Sequence, residues 1–233
     1  MNSTKKLLAT AVAASTMAVA AMAPVANAEV SASVGVASTY LWRGADLGSG
    51  SPAISGSLDY ATGGFNAGVW ASSGDGTAGT EYDIYAGYGG EAGDFSYGLT
   101  LISYQYPTGS YVETEGSPGN FMEAIVSLGY GPVNFTYYDN IAGDTGGYAA
   151  SEDYSYVSLD ASFGDFTVLF GKHNEAFGDY SHIDLSYAYN ENLSFTLSTV
   201  VSGDEYDAGG AMVSQDELSD PFFVVSYSLP IGE

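Results

Sequence analysis

Apolar and polar residues alternate through most of the chain beyond residue 28. From Val30 onward, one set of positions reads Val30, Ala32, Val34, Val36, Ser38, Tyr40, Trp42, and the set between them reads Ser31, Ser33, Gly35, Ala37, Thr39, Leu41, Arg43. A period of two residues puts the two sets on opposite faces of a β-strand. The split recurs over residues 54–60, 65–72, 81–88, 95–101, 122–130, 133–138, 155–163, 166–171, 182–189, 193–198 and 223–229, which with the first stretch predicts twelve strands. In each, one face carries Val, Leu, Ile, Phe or Tyr and the other is dominated by Ser, Gly, Thr, Asn and Asp.

Alternation alone fits a soluble β-sandwich as well as a membrane barrel. The connections favour the barrel. Tight turns are expected at Thr62-Gly63-Gly64, from Gly89 to Asp94, at Gly131-Pro132, Gly164-Asp165 and Asn190-Glu191-Asn192, and between them lie Gly-rich acidic links at 45–51, 74–79, 108–119, 140–152, 174–179 and 202–220. Strict alternation of short and long links is the signature of an up-and-down barrel with one tight rim and one elaborated rim. Aromatics on the apolar face flank the tight turns: Tyr60, Phe65, Tyr88, Phe95, Tyr130, Phe163, Phe166 and Tyr189. Rings at that level suit the headgroup region. The predicted fold is therefore all-β, a transmembrane antiparallel up-and-down β-barrel of about twelve strands. Hydrocarbon offers backbone groups no partner, so such a sheet must close on itself.

What precedes the first strand fits export. Residues 1–28 hold Lys5 and Lys6, an Ala/Val/Met/Leu-rich run and Val25-Ala26-Asn27-Ala28, the layout of a cleavable signal peptide. The expected division is a signal peptide over 1–28 and an outer-membrane barrel over 29–233. The chain holds four Lys and Arg against 28 Asp and Glu, for a net charge of −24, and two of those cations lie in the signal. Arg43 and Lys172 are left against every acid. So few cations exclude nucleic-acid binding through phosphates. There is no cysteine, hence no disulfide and no thiol chemistry. Twenty Tyr and eleven Phe argue against disorder despite the charge.

The inward, polar face supplies the candidate site residues: Arg43, Asp59, Glu81, Asp83, Glu123, Asp160, His182 and Asp184. They are expected to line an acidic passage, or to brace the barrel wall through hydrogen bonds. Arg43 is expected near the outer rim beside a lipid-facing Trp42, in direct contact with one or more carboxylates, of which Glu81 and Asp83 are the nearest candidates. No catalytic set is expected. Ser181-His182-x-Asp184 holds lipase-like residue types, but neighbours on a strand point to opposite faces. His173 reads as a loop-rim residue. Asp204-Glu205-Tyr206-Asp207 and Asp216-Glu217 offer oxygen ligands suited to Ca²⁺ or Mg²⁺, yet their spacing matches no ligand loop, so they read as solvated acidic surface. No cofactor and no dedicated metal site are expected.

Several strings are familiar together: Tyr40-Leu41-Trp42-Arg43-Gly44, Ser51-Pro52-Ala53, Gly68-Val69-Trp70-Ala71-Ser72, Glu81-Tyr82-Asp83-Ile84-Tyr85-Ala86-Gly87-Tyr88, Tyr104-Gln105-Tyr106-Pro107 and Tyr130-Gly131-Pro132. In this order the chain resembles the Gcw_chp family of proteobacterial envelope proteins, also known as TorF-type porins. The resemblance implies an outer-membrane barrel and brings no catalytic or ligand residues. Two functions stay open at this point. One is passive diffusion of small hydrophilic solutes with a preference for cations. The other is a non-conducting surface barrel whose acidic loops bind a partner or divalent cations and stabilise the envelope. Outer-membrane lipid, lipopolysaccharide and small solutes are the expected partners.

Overall fold

A computed structural model describes residues 28–76, 79–108, 119–143, 154–174, 179–203, 205–206, 212–213 and 221–231. The predicted signal, save for Ala28, and most of the long acidic links, Asp216-Glu217 among them, lie outside the described residues. In chain order the strands are β1 (Glu29–Ala37), β2 (Leu41–Trp42), β3 (Ala45–Asp46), β4 (Ala53–Thr62), β5 (Phe65–Asp75), β6 (Gly79–Ala92), β7 (Phe95–Gln105), β8 (Phe121–Tyr130) and β9 (Val133–Gly143). They continue with β10 (Ser155–Phe163), β11 (Phe166–Asn174), β12 (Ser181–Ala188), β13 (Leu193–Ser202), β14 (Glu205–Tyr206), β15 (Met212–Val213) and β16 (Phe222–Ile231). Twelve of these form one closed barrel, in the order β1-β16-β13-β12-β11-β10-β9-β8-β7-β6-β5-β4. All neighbours along the chain pair antiparallel. The ring closes where Ala32–Ala37 of β1 pair with Ile231–Ser226 of β16. β2 with β3, and β14 with β15, form separate two-stranded hairpins.

The faces follow the sequence pattern. Leu58, Ile84, Leu99, Leu128, Leu159, Val168, Leu185 and Phe223 point outward and are exposed. So large an apolar band belongs in hydrocarbon rather than water. All eight predicted girdle aromatics are exposed on this face at the tight-turn end, Tyr189 by 63 % and Phe163 by 62 %.

Three local expectations are corrected. The first strand does not run to Arg43. β1 ends at Ala37, and the chain then turns into the lumen, so Trp42 is buried rather than lipid-facing. The anchor of that departure is Ser38, whose backbone N–H donates to the Val225 carbonyl at 2.9 Å and whose side chain accepts from the Val225 N–H at 3.0 Å. Next, β6 continues past Gly87 and Gly89 to Ala92, so the turn into β7 is Gly93-Asp94 alone. Glycines at Gly89 and Gly90 stay in the ladder opposite Gly98 and Tyr97. Finally, the link predicted over 74–79 is short, because β5 reaches Asp75 and pairs it with Gly79.

The orientation expected from the links, with the tight turns facing the periplasm, is testable by labelling. Gly64 is a poor probe position. It has a φ of +89°, and a Cβ there would lie 2.5 Å from the Gly89 carbonyl oxygen. Asp165, an exposed residue of a tight turn, and Thr108, exposed at the other rim, avoid the problem. A cysteine at Thr108 should react with an impermeant maleimide on intact cells, and one at Asp165 should react only after the outer membrane is permeabilised. The reverse pattern would invert the topology.

Candidate functional site

The inward turn of residues 38–52 builds the site. Leu41 and Trp42 pair with Asp46 and Ala45, leaving Arg43-Gly44 as the two-residue tip. Both tip residues have positive φ, 47° at Arg43 and 88° at Gly44, as a type I′ hairpin turn needs. Gly44 suits its place twice over, since a Cβ there would also meet the His182 ring at 2.4 Å. Arginine in a left-handed conformation costs on the order of 1 kcal/mol, so its surroundings must hold it there. Asp46 ties the base of the hairpin. Its carboxylate accepts from the Thr39 hydroxyl, from the Gly48 N–H at 3.1 Å and from the Gly50 N–H at 2.9 Å.

The hairpin drives Arg43 into the centre of the barrel, where 3 % of it is exposed. Its guanidinium donates from Nη1 to Glu123 Oε1 at 2.8 Å and from Nη2 to Oε2 at 2.6 Å. That is the bidentate geometry in which arginine and carboxylate bind best. Nη1 also donates to the Tyr154 hydroxyl at 2.9 Å. The ring of Tyr138 lies 4.2 Å from Cζ, that of Trp42 4.8 Å and that of Tyr156 4.9 Å. Arg43 is thus paired on its edge and caged on its faces. Its backbone is held as well. The Arg43 carbonyl accepts from His173 Nε2 at 2.8 Å and from the Tyr180 hydroxyl at 3.1 Å. A carbonyl can only accept, so His173 carries its proton on Nε2, and its Nδ1 accepts a hydrogen bond from the Tyr154 hydroxyl at 3.1 Å.

The other predicted residues sort into separate groups. Glu81 accepts from Tyr40 at 2.7 Å and Tyr106 at 2.9 Å, and Glu123 takes a third hydrogen bond from Tyr104 at 2.7 Å. Asp83 is buried beside Glu81 on β6. Asp59 accepts from Ser57 at 2.7 Å and from Tyr85. His182 pairs through Nδ1 with Asp184 at 3.0 Å and through Nε2 with the Tyr156 hydroxyl at 2.9 Å, while Ser198 donates to Asp184 at 2.6 Å. Asp160 accepts from Asn134 at 3.2 Å. Arg43 therefore makes the expected carboxylate contact, with Glu123 rather than with Glu81 or Asp83: the hairpin carries the guanidinium past β6 to β8.

Sequence reasoning missed three members of this cluster, His173, Tyr154 and Tyr180. His173 is not a rim residue; it is fully buried on the inward face of β11, two residues beyond Gly171. Extending the alternation of β11 by one step would have placed it there. Tyr154 and Tyr180 precede β10 and β12 and carry no strand signal. Both nitrogens of His182 are engaged by Tyr156 and Asp184, so Ser181 has no imidazole partner there. Among the described residues no group of three or more His, Asp or Glu side chains is arranged to hold a metal ion.

Solvent reaches the two ends of the lumen unequally. Asp59, Asn66, Asn134, Asp160, Thr167 and Ser186 are half-buried at the tight-turn end and form an acidic vestibule. Around Arg43 the lumen is filled: Glu123, His173, His182, Tyr154 and Tyr180 are fully buried.

Comparison with known proteins settles the family. Residues 21–198 match the model of Gcw_chp, described as a bacterial protein of unknown function. The chain belongs to the Gcw_chp family. A comparison with curated proteins finds no match. Among solved structures, the outer membrane phospholipase A of Escherichia coli is similar at 8 % identity and a TM-score of 0.41, over 85 % of this chain and 88 % of that one. OprD of Pseudomonas aeruginosa is similar at 13 % identity and a TM-score of 0.37, over 88 % of this chain and 67 % of that one. A calcium-bound dimer of the Salmonella typhi phospholipase matches at 9 % identity and a TM-score of 0.39. These likenesses concern barrel architecture and carry nothing about activity.

Proposed function

We propose that this Gcw_chp protein is an outer-membrane barrel closed at rest by its own Arg43 hairpin. The observation that carries the reading is the filled layer at Arg43. A buried guanidinium, its carboxylate partner and a cage of aromatic rings occupy the lumen where a diffusing solute would have to pass. Twelve strands enclose a lumen between the small filled barrels and the wide porins, so one inserted hairpin suffices to block it. The outward contacts then fall to the acidic long-loop rim, where divalent cations would bridge carboxylates to lipid A phosphates.

A second reading rests on the vestibule. Asp59, Asp160 and Asp184 face the wet end of the lumen, and a low-dielectric wall focuses their field. Were the hairpin to withdraw, the passage would favour cations, and the protein would serve as a gated porin for small hydrophilic solutes.

Planar-bilayer recording of the purified protein tests the closed reading. Wild-type barrels should insert without giving a steady conductance at neutral pH. A steady open level in the unmodified protein would reject the closed state and favour a constitutive cation-preferring porin.

A further inference from the structure

Asp83 holds an unusual position in this crowded lumen. It lies on the inward face of β6, opposite Trp70 of β5 and Tyr104 of β7, with 2 % of its surface exposed. Its Oδ1 is buried without a hydrogen-bond partner, alone in this among carboxylate oxygens of the described residues. Its carboxyl group meets that of Glu81, and Glu123 is the next charge nearby. Arg43 is committed to Glu123 by a bidentate pair. Three buried acids thus share one base.

Among the described residues the nearby phenols give Asp83 no hydrogen bond. Four phenols lie within electrostatic reach of it: Tyr40, Tyr85, Tyr104 and Tyr106. Each phenol has one proton to give, and each gives it elsewhere. Tyr40 and Tyr106 donate to Glu81, Tyr104 to Glu123 and Tyr85 to Asp59. A buried, unpartnered carboxylate oxygen is costly, and an unpaired buried charge costs more. Both costs are met at once by a hard cation with oxygen ligands.

We propose that Asp83, with Glu81 beside it, is a monovalent-cation site inside the barrel, holding sodium or potassium on Asp83 Oδ1. A divalent ion fits less well, since no group of three or more acidic or histidine ligands is arranged for one among the described residues. A proton shared between Asp83 and Glu81 is the competing occupant of the same place, and the infrared measurement below separates the two. The site lies one pleat above Tyr85 and Asp59, so the acidic vestibule is its entry path. It does not depend on conduction: a closed barrel keeps the ion as part of its structure.

The test uses the whole barrel, purified in detergent and freed of alkali ions in choline chloride. Titration with rubidium chloride or sodium chloride, read by equilibrium dialysis and elemental analysis, should show one saturable ion per barrel. Asp83→Asn should lose it, and Asp160→Asn in the vestibule should keep it. Heat-modifiable migration on a gel confirms that each variant is folded. Should Asp83→Asn not fold, thermal unfolding of the wild type decides: sodium chloride should raise the midpoint by several degrees over choline chloride at equal ionic strength. No saturable ion, an ion retained by Asp83→Asn, or no alkali-specific shift would overturn the site. So would an infrared band of a protonated carboxyl that vanishes in Asp83→Asn, because a proton would then hold the place.

Discussion

Replacing Glu123 with alanine is expected to destabilise the barrel by roughly 3–5 kcal/mol, the usual result of stripping one partner from a buried ion pair. Arg43 would keep its aromatic cage and its bond to Tyr154, but no carboxylate would face the guanidinium where it now makes two bonds of 2.8 and 2.6 Å. Tyr104 would lose the acceptor of its hydroxyl as well. Arg43→Ala should cost a similar amount, since it strands Glu123. The double variant Arg43→Met with Glu123→Leu should recover much of the loss, because it removes both charges together and keeps volume in the lumen. Tryptophan fluorescence in a urea titration measures this directly. The chain has two tryptophans, Trp42 in the hairpin and Trp70 in the wall, so Trp70→Phe leaves Trp42 as a reporter of the hairpin alone. A Glu123→Ala protein as stable as wild type would mean that the pair does not hold the hairpin in place.

The wall of this barrel was readable because its strands obey a period of two with few interruptions. Leu58, Ile84 and Leu185 had to face one way and Asp59, Asp83 and Asp184 the other, whichever fold enclosed them. The hairpin was not readable for the same reason. Tyr40 and Trp42 continue the outward phase of Val34 and Val36, so alternation alone extends β1 straight through residues that in fact leave the wall. The physical signal against that extension is local. Ser38 and Thr39 are residues whose side chains bond to nearby backbone and end strands, and Arg43-Gly44 supplies a glycine where a type I′ turn needs positive φ. Arg43, one of two Lys and Arg residues beyond residue 28 against so many acids, pointed to a carboxylate partner. Which one it took depended on how far the hairpin reaches across the lumen, and a strand pattern holds no such distance. Two buried tyrosines escaped for a related reason: Tyr154 and Tyr180 sit just outside strands, where no periodicity constrains them, whereas Tyr104, Tyr138 and Tyr156 fall on the inward phase of their strands.

Exchanging residues 41–48 for a Gly/Ser linker of equal length should turn a silent barrel into a conducting one. The substitution removes Arg43, Trp42 and the stitched turn, and it leaves the twelve paired strands intact, since residues 41–48 contribute none of the barrel ladder. The lumen would then be lined at that level by Glu81, Asp83 and Glu123 with no guanidinium among them, above a vestibule carrying Asp59, Asp160 and Asp184. Fixed negative charge within a low-dielectric wall concentrates counter-ions. Reversal potentials across a KCl gradient should therefore show potassium passing more readily than chloride. Adding Asp83→Asn and Glu123→Gln to the linker variant should weaken that preference, with the open conductance retained. Each outcome isolates one step of the argument. If the linker variant stays silent, the closure lies somewhere other than the hairpin. If it conducts but prefers chloride, the inward carboxylates do not set the field of the open lumen.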